Sequence, residues 1–226
     1  MITKNNPFDE RAFDKQTKIL IDACVILFML DEESIMYNNC NKEMDKITNQ
    51  DSKLYTSNVV LSEVINRIIY QHFTSDIRFF IDKTTPINTF ENLNMILSYF
   101  KDAEQKILLG KSDNKKADKL NYKKCFDKIN KGRANNVPRE VLKVYFEDTI
   151  RIVKKFISDY SLITLLVDEN IMNMSQDIMI KNMLGINDAQ HLSTGIEHNM
   201  DYLMSCDGDF KFVEEDYKIK ILLIKQ

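Results

Sequence analysis

Short apolar runs alternate along this chain with longer stretches of helical periodicity. The runs at 18–22, 53–56, 162–167, 202–206 and 219–224 have strand length and carry mostly Ile, Leu, Val and Tyr. Between them, hydrophobic residues recur at the spacing of one helix face. Because strands that alternate with helices pair in parallel, the pattern predicts an α/β sandwich with a central parallel sheet of about five strands.

Two of the predicted helices carry an acidic residue near their start. The first follows the second strand, begins at Ser57 or Asn58, and runs to about residue 73. Either side chain can accept an amide proton of the first turn, and Glu63 lies about two turns into the helix. The second helix begins near Asp188 and ends near Asn199. A carboxylate at that position is stabilised by the free amides and by the helix dipole.

A long helical segment separates the two halves of the predicted sheet. It covers 76–159 and, like the rest of the chain, contains no internal repeat or low-complexity tract. A chain of 226 residues is long enough for one well-buried domain. We therefore predict a single domain over 1–226, with a core at 18–75 and 160–226 and a mostly helical insertion at 76–159.

The composition excludes several classes of protein. A chain that is 44% hydrophobic and 29% charged is globular rather than disordered. The four cysteines form no zinc-binding spacing, the N-terminus lacks the apolar run of a signal peptide, and the longest apolar run is too short to span a bilayer. We expect a cytoplasmic protein with free thiols and no membrane contact. Glycine-rich phosphate loops are absent, which disfavours nucleotide binding of that kind.

Four acidic residues stand where predicted strands end or where predicted helices carry them toward the same edge: Asp22, Glu63, Asp188 and Asp207. Ligands of open α/β sheets bind outside the carboxyl ends of the strands, which is where Asp22 and Asp207 are expected. Bringing carboxylates together is unfavourable because each raises the pKa of its neighbour, and hard divalent cations are their natural partners. The pattern therefore predicts a site for metal-dependent phosphodiester chemistry.

Each of these acids also has a purely structural interpretation. Asp188 can simply cap its helix, and Glu63 can be a solvated helix residue. Asp207 and Asp209 can form a turn. Asp22 is the hardest to explain in this way, because it interrupts an apolar run and an unpaired buried carboxylate is costly.

The order of these motifs resembles that of the PIN-domain ribonucleases, which include the VapC-type toxins of toxin–antitoxin systems. The strings that carry the resemblance are ILIDACVILF, TSNVVLSEVINRI, INDAQHLSTGIEHNMDYLMSCDGDF and the closing IKILLI. They cover about the first 75 and the last 65 residues, whereas the middle of the chain does not match the short toxins. The resemblance implies a PIN-like, Rossmann-like three-layer sandwich and an acidic pocket that binds Mg²⁺ or Mn²⁺.

Site residues follow from the resemblance position by position. The metal-binding and catalytic acids are Asp22, Glu63, Asp188 and Asp207, with Asp209 as an auxiliary acid or part of the turn. Ser205 stands where the family has a small hydroxyl residue that orients the pocket, and Cys24 stands where many members have asparagine. His191, three residues after Asp188, is interpreted as a packing residue rather than a ligand.

A basic segment lies within the predicted insertion. Residues 101–160 contain 16 Lys and Arg against 9 Asp and Glu, whereas the rest of the chain has 15 against 25 and the whole carries a net charge of −3. A cationic segment can attract a nucleic acid that an acidic pocket repels. The predicted RNA contacts are Lys115, Lys116, Lys119, Lys123, Lys124, Arg133 and Arg139. The alternative is a solvated helix face, which charge runs usually are.

Taken together, the residues and the resemblance predict a metal-dependent endoribonuclease that hydrolyses RNA phosphodiester bonds. The resemblance adds an antitoxin protein and a second copy of the chain as partners, and leaves open whether this chain is the toxin of such a pair. The alternative is a PIN-fold module that binds RNA or protein without cleaving. A phosphatase is disfavoured, because Cys24 stands where that class needs a second aspartate.

Overall fold

The computed structural model describes residues 13–81, 93–108, 122–132, 136–213 and 217–225. Within these ranges, five strands form one sheet: β1 (Lys18–Ile21), β2 (Lys53–Ser57), β3 (Ile163–Leu165), β4 (Tyr202–Ser205) and β5 (Lys220–Leu223). Their order is β3-β2-β1-β4-β5, and all neighbouring strands are parallel. All five predicted strands are present, although β3 is shorter than the predicted 162–167.

Helices connect the strands. They are α1 (Ala23–Met29), α2 (Tyr37–Thr48), α3 (Asn58–Ile81), α4 (Leu93–Ser98), α5 (Asp102–Leu108), α6 (Tyr122–Lys131), α7 (Asn136–Asp159), α8 (Glu169–Asn182) and α9 (Ile186–Glu197). A 3₁₀ turn covers Gly208–Phe212. The helix after β2 begins where it was predicted but continues beyond residue 73 to Ile81. Among the residues described, no helix has both the length and the apolar character that crossing a bilayer requires.

The sheet is covered by helices on both faces. Side chains of β1 and β4 alternate, so that Leu20 and Leu203, which are paired in register, share one face with Ile178 of α8 and Leu192 of α9. The step from β1 to β2 and the step from β3 to β4 cross the sheet in opposite directions, and right-handed crossovers therefore place α1 and α2 opposite α8 and α9. The predicted three-layer α/β sandwich with a central parallel sheet of five strands is confirmed within the described residues.

The chain divides into two compact units. One contains the sheet and extends up to Val64 and again from Val153, and the other spans Ile65–Ile152. These boundaries differ by about ten residues from the predicted insertion at 76–159. That the chain is a single domain over 1–226 stays a prediction.

The second unit has its own core. Phe126 packs edge-on against Phe73, with ring centroids 5.2 Å apart, and Phe73 does the same against Tyr145 at 5.7 Å. The Tyr145 hydroxyl donates to Asp76 Oδ2 at 2.8 Å, so the polar end of this buried ring is satisfied. The described part of this unit is helical, as the periodicity of the sequence predicted.

Candidate functional site

Asp22 and Asp207 both lie at the carboxyl edge of the sheet, where the strands end. β1 ends at Ile21 and β4 at Ser205, and Ile21 is paired with Met204. The backbone N–H of Asp22 donates to the Met204 carbonyl at 3.0 Å, which extends the pairing by one residue. The parallel register therefore brings together two acids that are far apart in the sequence.

Asp22 is 3% exposed, and donors surround its carboxylate. Oδ1 accepts the N–H of Ala23 at 2.6 Å, which caps α1. Oδ2 accepts the Ser205 hydroxyl at 2.6 Å and the Cys24 thiol at 3.1 Å. A buried carboxyl group is tolerated only with such partners, and these hydrogen bonds hold the Asp22 side chain in a defined orientation.

Ser205 and Cys24 link Asp22 to the turn that follows β4. Ser205 Oγ accepts the N–H of Asp207 at 2.9 Å, and Cys24 Sγ accepts the N–H of Cys206 at 3.0 Å. Cys24 thus contacts both Asp22 and the turn. The Asp207 carboxylate accepts the N–H of Asp209 at 2.9 Å, so Asp207 also forms the turn that its structural interpretation predicted.

Glu63 reaches the same region from α3. The Asn187 side-chain amide donates to Glu63 Oε2 at 3.2 Å. His191 Nε2 lies 3.8 Å from that oxygen and 3.4 Å from Asp22 Oδ1. Asn187 and His191 are four residues apart on α9 and share one helix face, so this face joins Glu63 to Asp22.

Asp188 is half-buried and is the third residue of α9 rather than its cap. The cap is Gly185, where a Cβ would lie 3.1 Å from Asp188 Oδ2. Burial, followed by the negative charges of Asp22 and Asp207, raises the pKa of Asp188 to about 6, and His191 opposes this rise. We group Asp22, Glu63, Asp188 and Asp207 as the acidic cluster, because Asp22 and Asp207 act on Asp188 and because Asp22 and Glu63 both lie near His191.

His191 is 1% exposed and lies among these acids. Burial alone lowers the pKa of His191, but the nearby Glu63 carboxylate and the charges of Asp22 and Asp188 outweigh burial and raise the pKa. The surrounding acids therefore favour the protonated form of the ring. Its interpretation as a simple packing residue does not describe this environment.

Oxygen donors dominate the acidic cluster, which fits a hard divalent cation such as Mg²⁺ or Mn²⁺ in donor chemistry. The raised pKa of Asp188 fits as well, because a bound cation would offset both the burial of its carboxylate and the repulsion from Asp22 and Asp207 that raise it. As the side chains stand, however, no three His, Cys, Asp or Glu residues of the described ranges converge closely enough to hold a metal ion. Metal binding would therefore require side-chain movement.

Part of the predicted basic surface lies in the second unit. Lys123 and Lys124, near the start of α6, and Arg139, near the start of α7, are exposed. Lys123 Nζ lies 5.6 Å from the centre of the Tyr70 ring, at cation–π distance. The remaining predicted contacts, Lys115, Lys116, Lys119 and Arg133, lie outside the described residues.

Two site residues had little signal in the sequence. The i, i+3 spacing of Asp188 and His191 is visible in INDAQHL, but spacing alone does not separate a histidine among acids from one in an apolar core. Asn187 is an ordinary first-turn residue, and its contact with Glu63 spans 124 residues of sequence. Only the packing of α9 beside α3 reveals either role.

Comparisons with known proteins support little beyond the fold. No protein-family model matches the chain, and no curated protein matches it. Among solved structures, the chain is similar to a chain in the crystal structure of VapBC2 from Rickettsia felis bound to a DNA fragment from their promoter. The alignment covers 91% of this chain and 97% of that one, with 11% sequence identity and a TM-score of 0.43. A similarity at this level carries no argument about activity.

Proposed function

We propose that this protein is a metal-dependent nuclease that hydrolyses RNA phosphodiester bonds within the strand. The observation that carries the proposal is the acidic cluster at the carboxyl edge, where burial and then the negative charges of Asp22 and Asp207 raise the pKa of Asp188. A fold gains no stability from such repulsion, and the carboxyl edge is where parallel α/β sheets bind their ligands. Clustered acids with perturbed pKa values are typical of functional sites.

The residues that would hold Mg²⁺ or Mn²⁺ are Asp22, Glu63, Asp188 and Asp207, with Asp209 as an auxiliary acid. When bound, such an ion stabilises the charge that develops on a phosphodiester during hydrolysis and acidifies water. Water acidified in this way needs no lysine or histidine as a general base. The preference for RNA over DNA comes from the sequence resemblance alone.

Neighbouring side chains would position these acids. The Ser205 hydroxyl and the Ala23 N–H hold one oxygen each of Asp22 at 2.6 Å. The Asn187 amide orients Glu63 at 3.2 Å. His191 faces both acids and lowers the repulsion between them before any cation arrives.

The proposed partners follow from the sequence rather than from the site. They are an RNA substrate, an antitoxin protein and a second copy of the chain, in the cytoplasm. RNA attraction by the exposed lysines of α6 belongs to the same proposal.

The test is cleavage of labelled single-stranded RNA by the purified protein in manganese, magnesium or EDTA. We expect cleavage that requires the metal and falls at least about a hundredfold in Asp22→Asn and in Asp188→Asn. Asp177→Asn is the matched control, because Asp177 is an exposed aspartate of α8. Manganese should also raise the melting temperature of the wild type but not that of Asp22→Asn.

A second candidate is an RNA- or protein-binding module of the same fold that does not cleave. It is favoured by the lack, among the described residues, of side chains already placed to hold a metal ion. Folded protein that shows neither cleavage nor a manganese-dependent rise in melting temperature would reject the nuclease and leave this candidate. Metal binding without cleavage of varied RNAs would point instead to a nuclease with a narrow target.

A further inference from the structure

A pocket of about 260 Å³ lies at the turn that carries Asp207. Cys206 and Gly208, the residues on either side of Asp207, contribute to its wall. The same turn thus contributes Asp207 to the acidic cluster and the two neighbours of Asp207 to the pocket. A polymeric ligand whose reacting group lies at Asp207 would therefore place an adjacent unit at the pocket.

The apolar part of the pocket comes from three elements. Phe28 of α1, Met36 at the start of α2 and Leu223 of β5 line it, and Phe28 is half-buried. A flat aromatic or apolar group that enters such a pocket gains contact area on both sides. A nucleobase has this shape, and stacking on an aromatic ring is a common way to bind one without reading its sequence.

Among the described residues, the charged side chains that line the pocket are those of Lys211 and Lys225. Lys211 Nζ lies 3.7 Å from the position that a Cβ on Gly208 would occupy, so its ammonium group rests against the turn beside Asp207. Two cations beside apolar walls suit a ligand that combines bases with phosphates.

A pocket at the opposite edge of the sheet has a different character. It measures about 340 Å³ and lies at the amino ends of the strands, where Asp14 and Asp201 line it together with Lys218 and Lys220. Its carboxylates offset its lysines, so it offers a phosphate no net attraction. Of the two pockets, the one beside Asp207 is thus the one whose described lining attracts a phosphate.

We propose that the pocket between Phe28 and Lys211 is a nucleotide subsite for single-stranded RNA. The base of a nucleotide next to the scissile bond stacks on Phe28, and Lys211 and Lys225 bind backbone phosphates. The identity of the ligand rests on the proposed nuclease function. An acidic peptide is the competing ligand, and the aromatic wall at Phe28 favours RNA over it, because a carboxylate side chain has no flat ring to stack there.

The experiment is fluorescence anisotropy with a short fluorescein-labelled single-stranded RNA, titrated with protein in EDTA at several salt concentrations. We expect the Lys211→Gln/Lys225→Gln double variant to raise Kd about tenfold at low salt and to reduce the slope of log Kd against log salt by about 1.4, as two lost phosphate contacts require. Phe28→Leu should raise Kd about fivefold without changing the slope, because stacking carries no charge. Thermal melting confirms that each variant is folded.

The matched control is the Lys218→Gln/Lys220→Gln double variant, which removes the same charge at the opposite edge and should leave Kd within about twofold. Equal losses of affinity in the two double variants, or no loss of affinity in the pocket variants, would overturn the proposal.

Binding of a polyglutamate peptide as tightly as RNA would overturn the assignment of the ligand. Because binding is measured without metal, a protein that never cleaves RNA but loses affinity in the pocket variants would reject the nuclease and retain the subsite. Cleavage that depends on Asp22, with unchanged binding in the pocket variants, would reject the subsite alone.

Discussion

The Asp22 carboxylate is buried yet receives hydrogen bonds on both oxygens. Its charge within an apolar run made it conspicuous in the sequence, because a buried carboxylate needs compensation. The groups that compensate for this charge were less visible in the sequence. Ser205, which donates at 2.6 Å, lies 183 residues further along the chain.

Removing the Ser205 hydroxyl tests this network. Ser205→Ala deletes the donor to Asp22 Oδ2 and the acceptor of the Asp207 N–H, both of which are poorly replaced by water at a buried position. We expect the free energy of unfolding to fall by about 2 kcal/mol, measured by urea denaturation. Ser62→Ala is the control, because Ser62 is an exposed residue of α3 and its loss should stay within about 0.5 kcal/mol. Equal values for the two variants would contradict the role assigned to Ser205.

The raised pKa of Asp188 predicts how the free energy of unfolding depends on pH. Its folded-state pKa of about 6 lies above the ordinary value of 3.8, so protonated Asp188 favours the fold. This contribution is complete below pH 3.8 and is lost as the pH rises through about 6. In EDTA, Asp188→Asn should therefore raise the free energy of unfolding at pH above 7 by about 1 kcal/mol, after allowance for the partial exposure of the side chain.

The difference between Asp188→Asn and wild type should shrink as the pH falls below the folded-state pKa of Asp188. Urea denaturation at several pH values measures it, with Asp177→Asn as a variant that should show no such trend. A stability difference that does not vary with pH would mean that Asp188 is an ordinary exposed carboxylate.

At the scale of elements, α9 does most to assemble the site. Its first two turns present Asn187 to Glu63, Asp188 to the negative charge at the sheet edge, and His191 to both Asp22 and Glu63. Its helical periodicity was readable in the sequence. Its start was predicted near Asp188 but lies at Ile186, because Gly185 rather than an acidic side chain occupies the cap position.

The α3 helix carries Glu63 and depends on the cap that the sequence indicated. Ser57 Oγ accepts the N–H of Val60 at 3.1 Å in a buried position. Ser57→Ala should lower the free energy of unfolding by about 1 kcal/mol because a first-turn amide loses its acceptor. Ser57→Thr retains the hydroxyl and should recover most of the loss in thermal or urea denaturation. If alanine and threonine behave alike, the cap does not stabilise the helix.

At the scale of the whole molecule, charge is distributed unevenly. Residues 101–160 carry 16 basic and 9 acidic side chains within a chain whose net charge is −3. A single value for net charge would have hidden this segment. Three of its predicted RNA contacts, Lys123, Lys124 and Arg139, are exposed in the structure.

The exposed lysines at the start of α6 predict salt-dependent RNA binding. Lys123→Gln/Lys124→Gln should raise Kd for single-stranded RNA several-fold at low salt and reduce the slope of log Kd against log salt by about 1.4. Lys42→Gln/Lys53→Gln removes the same charge from exposed positions of the sheet unit and serves as the control. Equal effects in the two variants would indicate a solvated helix face with no specific part in binding.

The sequence by itself determined the fold class and most of the elements. Periodicity of apolar residues depends on local geometry, so strands and helices could be read from it, and their alternation required a parallel sheet. The acids at strand ends could also be predicted, because parallel strands place their carboxyl ends together. Asp22 and Asp207 lie at that edge as expected.

Only the tertiary structure decided which side chains meet at the edge and in what state. His191 lies between Asp22 and Glu63, and Cys24 joins Asp22 to Cys206, through contacts of His191 and Cys206 that span more than a hundred residues. The raised pKa of Asp188 likewise depends on burial and on distances to other charges. Such long-range contacts are set by how α9 and β4 pack around β1, and no local pattern in the sequence encodes them.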